Sequence, residues 1–435
     1  MKNYALILSS LLVLSTAQLF SQELPRPSMA RTQSVTSLPS DYNLKAGPVL
    51  MNVNASLDSE YNSNIALSSS GALSDFIMTP EVGLAIQWPI TASNTLRLNT
   101  SVGYSKYLIH PQYDTGHVLI APDSVLGFDI YVGDFKINLH DQFSIQQDPS
   151  TVGSLSNVVN FSRFENVAGV GVIWDLNKLV LTFDYDHITF VSNNLQQVNG
   201  SNLTNPGNLN YSANQVSAAA TYSVTSTINV GFEGAASIRN YDQYGIQDDA
   251  LSVGPFTRIE VTPNFKVSMS AGYQTVSTDS GNLTQAEANQ PNNVTPAFGA
   301  GTTNSYYVNV TLDHRLNKYY TDRLSAGHEI QLDVFSQQSE VTYVNYTSSW
   351  KVNKDLNLAF TLNFQDVSTP NTGNSTIGTI STPSYDSFVA GVQANFPVTK
   401  SISGSVLYQF GDKFNTAPGQ DYVQNRVGMM LNYHF

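Results

Sequence analysis

From residue 47 to the C-terminus the apolar residues recur at every second position, and helical i, i+3, i+4 spacing is not sustained anywhere. Leu96, Leu98, Thr100, Val102 and Tyr104 alternate with Arg97, Asn99, Ser101, Gly103 and Ser105. Leu179, Leu181, Phe183 and Tyr185 alternate with Val180, Thr182, Asp184 and Asp186. Leu356, Leu358, Phe360, Leu362 and Phe364 repeat the pattern. Successive strand side chains point to opposite faces, so each such stretch has one apolar and one polar face. No later apolar run approaches the roughly 18 residues of a membrane helix. A chain with this period folds as an all-β structure.

The connections alternate in length. Short ones fall at Thr91–Asn94, Gly133-Asp134, Asp175–Asn177, Thr225–Thr227, Pro263-Asn264, Asn317–Thr321, Asn353–Asp355 and Val398–Lys400. Between them lie longer segments rich in Asn, Ser, Thr, Gly and Pro, such as 110–121, 148–162, 192–210, 278–304, 367–384 and 411–421. The count is about eighteen strands in nine hairpins, with both ends on the short-turn side. It falls to sixteen if 338–352, where both parities carry Tyr and Val, is not a strand pair member. An even number of antiparallel strands with short turns on one side and long loops on the other is the layout of a transmembrane β-barrel.

Charge places the two faces. Asp, Glu, Lys and Arg make up 12% of the 435 residues, against about 25% in a typical soluble domain. By parity the polar face carries Arg97, Asp129, Lys136, Glu165, Asp184, Asp186, Glu233, Arg239, Arg258, Glu260, Lys266, Arg315, Arg323, Glu329, Asp333 and Arg426. Packing these charges into a dry core would cost a large desolvation penalty. A water-filled lumen accepts them, so they are the candidate pore-lining residues, and the apolar parity faces lipid. A barrel of this size is wide enough for a channel unless a loop folds in; 278–304 is the longest candidate. Trp88, Trp174 and Trp350 each lie close to a short turn, as expected of an aromatic girdle at one membrane interface. Asp141 breaks the rule: it shares the parity of Leu139 and Phe143, and a lipid-facing carboxylate is costly unless a bulge shifts the phase.

The N-terminus reads as an address. Lys2, the apolar stretch Ala5–Leu14 and small residues at Ser15-Thr16-Ala17 form a signal peptide over 1–21, cleaved after Ala17 or Ser21. Residues 22–46, with three prolines, read as a flexible periplasmic leader before the barrel at 47–435. The absence of Cys excludes disulfide scaffolds, thiol catalysis and lipobox anchoring. The net charge of -13 argues against nucleic acid as a partner.

Val427, Met429, Leu431, Tyr433 and Phe435 form an alternating final strand ending on Phe. This resembles the recognition signal of Gram-negative outer-membrane barrels, which implies the barrel-assembly machinery as a partner. Tyr61-Asn62-Ser63-Asn64-Ile65, Ser74-Asp75-Phe76-Ile77 and Pro80-Glu81-Val82-Gly83-Leu84 resemble the opening hairpin of the putative beta-barrel porin-2 group. The resemblance covers about 40 residues by motif and implies a porin-like barrel; some such proteins are associated with exopolysaccharide or capsule export.

Chemistry is thin. His140-Asp141 and Asp186-His187 are neighbours in sequence, so their side chains point to opposite faces and neither pair is a local dyad. No G-x-S-x-G or H-E-x-x-H occurs. His314 and His328 share the outward parity of neighbouring strands and would face each other near the turn at 317–321; the girdle is the preferred reading over a metal pair. The acidic segments at Asp279–Asn282 and Asp242–Asp249 lack the spacing of a calcium site. The reading is therefore an outer-membrane channel for passive diffusion of small hydrophilic solutes, weakly cation-preferring, without cofactor, metal or enzymatic activity. It sits among lipid and lipopolysaccharide and is open to homo-oligomerisation. The alternative is a non-conducting barrel acting as receptor or scaffold in polysaccharide export.

Overall fold

The computed structural model describes residues 22–23, 42–197, 209–242, 245–279, 301–369, 384–415 and 418–435. The expected signal peptide, most of the expected leader and much of 278–304 lie outside the described residues. Eighteen long strands form the wall: β1 (Val49–Asn62), β2 (Asp75–Pro89), β3 (Thr95–Gly103), β4 (Val125–Val132), β5 (Phe135–Gln146), β6 (Val158–Leu176), β7 (Leu179–Gln197), β8 (Tyr211–Ser223), β9 (Ile228–Tyr241), β10 (Gln247–Thr262), β11 (Phe265–Asp279), β12 (Gly301–Arg315), β13 (Tyr320–Leu332), β14 (Gln338–Lys351), β15 (Asn357–Ser368), β16 (Tyr385–Pro397), β17 (Ile402–Asn415) and β18 (Tyr422–His434). Each pairs antiparallel with its neighbours in sequence. β18 returns to β1, with Arg426 opposite Asn62 and His434 opposite Asn54, and closes the barrel. Closure satisfies the backbone donors and acceptors that hydrocarbon cannot.

All eight short connections occur within two residues of where the sequence puts them; Asp175 and Thr321 lie in β6 and β13. Gly133 and Asn177 take positive φ in two of these turns, a conformation Gly and Asn tolerate best. A short strand, Leu44–Ala46, pairs with Val49–Met51 and extends the ordered wall slightly before residue 47. Residues 338–351 form a strand, so the count is eighteen rather than sixteen.

Burial is inverted relative to a water-soluble protein. Phe183, Phe232, Leu251, Leu362, Val427 and Met429 are exposed on the outside of the wall. Asp129, Asp184, Asp186, Glu233, Arg239 and Glu329 are buried inside it. Lipid solvates the first set, and the second is paired with polar side chains on the inner face.

One hairpin leaves the wall. β13 pairs with β12 only as far as His328 opposite Val308. It stays paired with β14 up to Leu332 opposite Gln338. Beyond His328 the β13–β14 hairpin turns into the lumen, where Ile330 and Leu332 pack on Ala250 of β10 and Val276 of β11. Gln274 of β11 stands in for the lost strand partner: its Oε1 accepts from the Ile330 N–H at 2.8 Å and its Nε2 donates to the Ile330 carbonyl at 3.3 Å. The ambiguity of 338–352 has a local cause: Val341 and Tyr343 face inward and are buried with Val367 and Tyr385, while Val344 faces outward and is exposed. Gln22 and Glu23 pair with Leu332 and Gln331 of this hairpin.

Asp141 faces outward as its parity says. β5 and β6 run through this point in unbroken register, Leu139 opposite Val170 and Asp141 opposite Ala168, so no bulge turns it inward.

Candidate functional site

The candidate site is the lumen, whose two halves are built differently. At the periplasmic end the charges line the wall in short cross-strand ladders. Asp129 is shared by Arg97, by Lys136 at 3.8 Å and by the Asn138 amide at 2.8 Å. Lys266 pairs with Glu260 at 2.9 Å, and Arg323 with Asp313 at 2.5 Å. Direct cross-strand neighbours share a face, and these pairs lie on neighbouring strands β10 to β13. Arg315 sits at the rim, where its N–H donates to the Asn264 carbonyl at 2.7 Å.

Higher in the barrel, small residues make room for large ones. His140 and Asp186 lie two strands apart with Gly169 between them. His140 Nε2 meets Asp186 Oδ1 at 2.8 Å across that glycine. A Cβ on Gly169 would stand 2.2 Å from the Asp186 oxygen. The sequence separates these residues by 46 positions, and the reading of adjacent pairs missed their meeting. Inward glycines elsewhere are roofed by aromatic rings: Phe256 covers Gly231, Tyr307 covers Gly272 and Tyr343 covers Gly327. Those glycines therefore let rings lie flat on the wall rather than leave open bore.

In the outer half, two elements fold inward and meet. The segment 147–157 between β5 and β6 is held by three cations, Arg163 and Lys413 buried and Arg426 partly so. Arg426 grips Glu60 with two bonds of 2.9 Å and reaches Asp148 at 3.4 Å and Ser150 Oγ at 3.0 Å. Arg163, wholly buried, bonds Glu165 at 2.8 Å, Gln146 at 2.9 Å and the Asp148 carbonyl at 3.2 Å. Lys413 donates to the Gly153 carbonyl at 2.8 Å and to Ser156 Oγ at 3.2 Å, with its ammonium 4.3 Å from the Tyr385 ring centre. Burial works to raise the Asp148 carboxyl, but Arg426 and the Ser150 hydrogen bonds outweigh it and hold it below the usual aspartate range.

The second element is the β13–β14 hairpin. Its tip residues Val334 and Phe335 join Val152, Leu155, Phe161, Phe190, Leu195, Tyr211 and Tyr241 in one dry apolar cluster. Asp248 accepts from Ser336 Oγ and Thr278 Oγ1, each at 2.7 Å. Arg239 stacks on Tyr211 at 4.8 Å, lies 4.0 Å from Asp248 and bonds the Asp333 carbonyl at 3.4 Å. Glu233 accepts from the Tyr307 hydroxyl at 3.2 Å, and Glu329 accepts from the Gln331 amide at 2.7 Å. Arg258 stacks on Phe256 at 5.9 Å.

Several expectations shift with this geometry. Asp333 is not a wall residue: it sits at the hairpin tip and caps the N–H groups of Phe335 and Gln337 at 2.8 Å. Strand parity cannot see that β13 departs at residue 328. Among the described residues the lumen is narrowed by the hairpin and by 147–157, whereas 280–300 lies outside them. Arg163, Lys413, Glu60 and Asp148 were missing from the inward set, although the shared parity of Arg163 with Glu165 was a usable signal. His314 and His328 do not face each other. His314 stands opposite Asp322 at the rim, 3.1 Å from it, and His328 stands opposite Val308, stacked on Tyr306. Trp88, Trp174 and Trp350 lie outside the wall at the periplasmic ends of their strands, Trp174 stacked on Phe135 at 5.2 Å. Tyr433 and Phe435 pack edge to face at 4.9 Å at the end of β18.

The profile of the family described as "Putative beta-barrel porin 2" matches residues 43–293, more than half of the chain. The chain belongs to this porin family. It is a porin-like barrel of the Gram-negative outer membrane, in contact with outer-membrane lipid. No curated protein matches this porin-2 member. Among solved structures it is similar to Pseudomonas aeruginosa OccK2 (OpdF) in complex with glucuronate, at 8% identity and a TM-score of 0.46, covering 89% of this chain and 98% of that one. It is similar to OccK5 (OpdH) of the same organism at 10% identity and a TM-score of 0.44, covering 88% and 98%. OpdK with vanillate, from the same organism, gives 9% identity and a TM-score of 0.44, covering 88% and 99%.

Proposed function

We propose that this porin passes small hydrophilic solutes by passive diffusion through a bore narrowed in its outer half by 147–157 and the β13–β14 hairpin. The pore-lining set is Arg97, Asp129, Lys136, Glu165, Asp184, Asp186, Glu233, Arg239, Arg258, Glu260, Lys266, Arg315, Arg323 and Glu329, while Arg163, Arg426 and Glu60 hold the inserted segment. The observation that carries the reading is the polar interior: buried carboxylates and guanidinium groups line the inside of a wall whose outside is apolar. A charged, hydrogen-bonding passage lowers the barrier for a hydrated polar solute and raises it for an apolar one.

Carboxylates outnumber cations in the narrowed half. Glu60, Asp148, Glu165, Asp184, Asp186, Glu233, Asp248 and Glu329 stand against Arg163, Arg239, Arg258, Lys413 and Arg426. This supports a weak preference for cations, since the narrowest charged region sets the selectivity. The chemistry is transport alone; Trp88, Trp174 and Trp350 serve as the periplasmic aromatic girdle, and the strand ending on Tyr433 and Phe435 is what the barrel-assembly machinery reads.

Single-channel recording of the refolded protein tests this. A steady ohmic conductance and a cation-selective reversal potential in a salt gradient are expected. Electrical silence sinks the channel, and anion selectivity sinks the charge argument alone.

A further inference from the structure

The wall facing lipid is mostly apolar, and strands β5–β8 carry a polar rung across it at mid-height. Asp141 of β5, Ala168 of β6, His187 of β7 and Asn214 of β8 lie on one rung, each opposite the next. All four point outward, because the inward positions on these strands are His140, Gly169 and Asp186. The Asn166 amide donates to the Asp141 carboxylate and to the Gln142 carbonyl. His187 Nδ1 and the Tyr185 hydroxyl both meet Asn214 Oδ1, at 3.0 and 2.9 Å. Among the described residues no cation pairs with Asp141.

This band is not the upper edge of the apolar belt. On β5 the outward residues are apolar for Phe135, Ile137 and Leu139, then Asp141 intervenes, then Phe143 and Ile145 resume. Phe164 on β6 and Val191 on β7 likewise stand above the polar rung. On the far side, β16 runs Phe396, Ala394, Val392, Ala390 and Phe388 without interruption. At about 3.3 Å per residue and a 40° tilt, Asp141 stands about 15 Å above its turn, well inside an apolar band about 25 Å tall. Acyl chains offer a carboxylate no donor. Ala168 also leaves a shallow notch between Asp141 and His187.

We propose that the outward face of β5–β8 is an interface between copies of this chain. The patch is self-complementary. Asp141 brings an acceptor without a cation. Asn214 brings the donors of its amide nitrogen, and the notch over Ala168 admits a side chain from the neighbour. A second copy places these groups against each other and removes them from hydrocarbon. This extends beyond the channel reading and does not depend on whether the lumen conducts.

The absence of native cysteine makes the test direct. Asp141 and His187 lie two strands apart, about 10 Å, too far for a disulfide within one chain. In the double variant Asp141→Cys/His187→Cys, oxidised in intact outer membranes, a disulfide-linked dimer is expected. Wild-type protein, extracted in mild detergent and weighed by light scattering, is expected at a multiple of the chain mass. The variant Asp141→Leu/Asn166→Leu/His187→Leu, whose face suits lipid, is expected at the single-chain mass with its strand circular dichroism kept. A wild-type protein at single-chain mass with no cross-link overturns the proposal. So does a monomer that carries lipopolysaccharide lost in the triple variant, which assigns the notch to a lipid headgroup.

Discussion

The two halves of the lumen use the same kinds of charge in opposite ways. In the periplasmic half, Lys266, Glu260, Asp313 and Arg323 pair along the wall and stay well exposed, with side-chain exposures of 57%, 36%, 38% and 61%. In the outer half, Arg163 is 0% exposed and Lys413 2%, and each is tied to loop carbonyls rather than to water. On the channel reading proposed above, the first set tunes a passage. The second set holds inserted chain in place. The difference teaches that a charge in this lumen is a pore residue where the wall is bare and a structural pin where a loop covers it.

The largest effect should come from cutting a pin. Arg426→Leu leaves Glu60 buried with no cation beside it. Removing one partner of a buried pair costs about 3–5 kcal/mol because the other charge remains desolvated. Urea unfolding of the refolded barrel should show a loss of this size, and single-channel records should show a larger, noisier conductance as 147–157 comes loose. Acid should imitate the change. The Asp148 carboxyl is held below its ordinary value, so its contribution is full above the unfolded value of about 3.9 and is lost as pH falls through the lowered one. Wild-type conductance that stays constant as the pH is taken from 7 down to about 1, below both values, and equals that of Arg426→Leu, would break the distinction between the halves.

The wall was legible in the sequence because lipid and lumen impose a strict period of two, and any slip would reverse every side chain. The turns were legible because Gly133-Asp134 and Pro263-Asn264 carry turn chemistry. The inserted hairpin was not. Glu329, Ile330, Gln331 and Leu332 alternate polar and apolar as a wall strand does, yet Ile330 and Leu332 are 0% and 1% exposed inside the barrel. Alternation reports that one face is apolar and cannot say whether hydrocarbon or Ala250 and Val276 cover it. The meeting of His140 with Asp186 depends on Gly169, which only the strand register brings between them.

An intermediate effect should follow from the residue that anchors the hairpin. Gln274→Ala removes the side chain that satisfies both backbone groups of Ile330. A buried polar group left unpaired costs about 1–3 kcal/mol. Because the hairpin keeps its apolar contacts, the barrel should fold, and amide exchange at Ile330 should rise while exchange on β16 and β17 stays slow. Gln274→Glu restores the acceptor but not the donor, so it should fall between the two. Equal protection at Ile330 in all three proteins would show that the apolar cluster alone holds the hairpin.

The smallest effect belongs to the exposed ladder. Lys266→Ala takes a cation from Glu260 in a wet part of the lumen, where such pairs contribute about 0–1 kcal/mol and salt screens them. Its unfolding curve should overlay the wild type within error. Its reversal potential should not: with Lys266 gone, the Glu260 carboxylate faces passing ions unpaired, so cation preference should increase at low salt and fade as ionic strength rises. Arg323→Ala should move the potential the same way through Asp313. Stability unchanged with selectivity shifted marks a pore residue, and stability lost with the passage enlarged marks a pin. If Lys266→Ala instead destabilises the barrel as strongly as Arg426→Leu, burial does not separate the two roles.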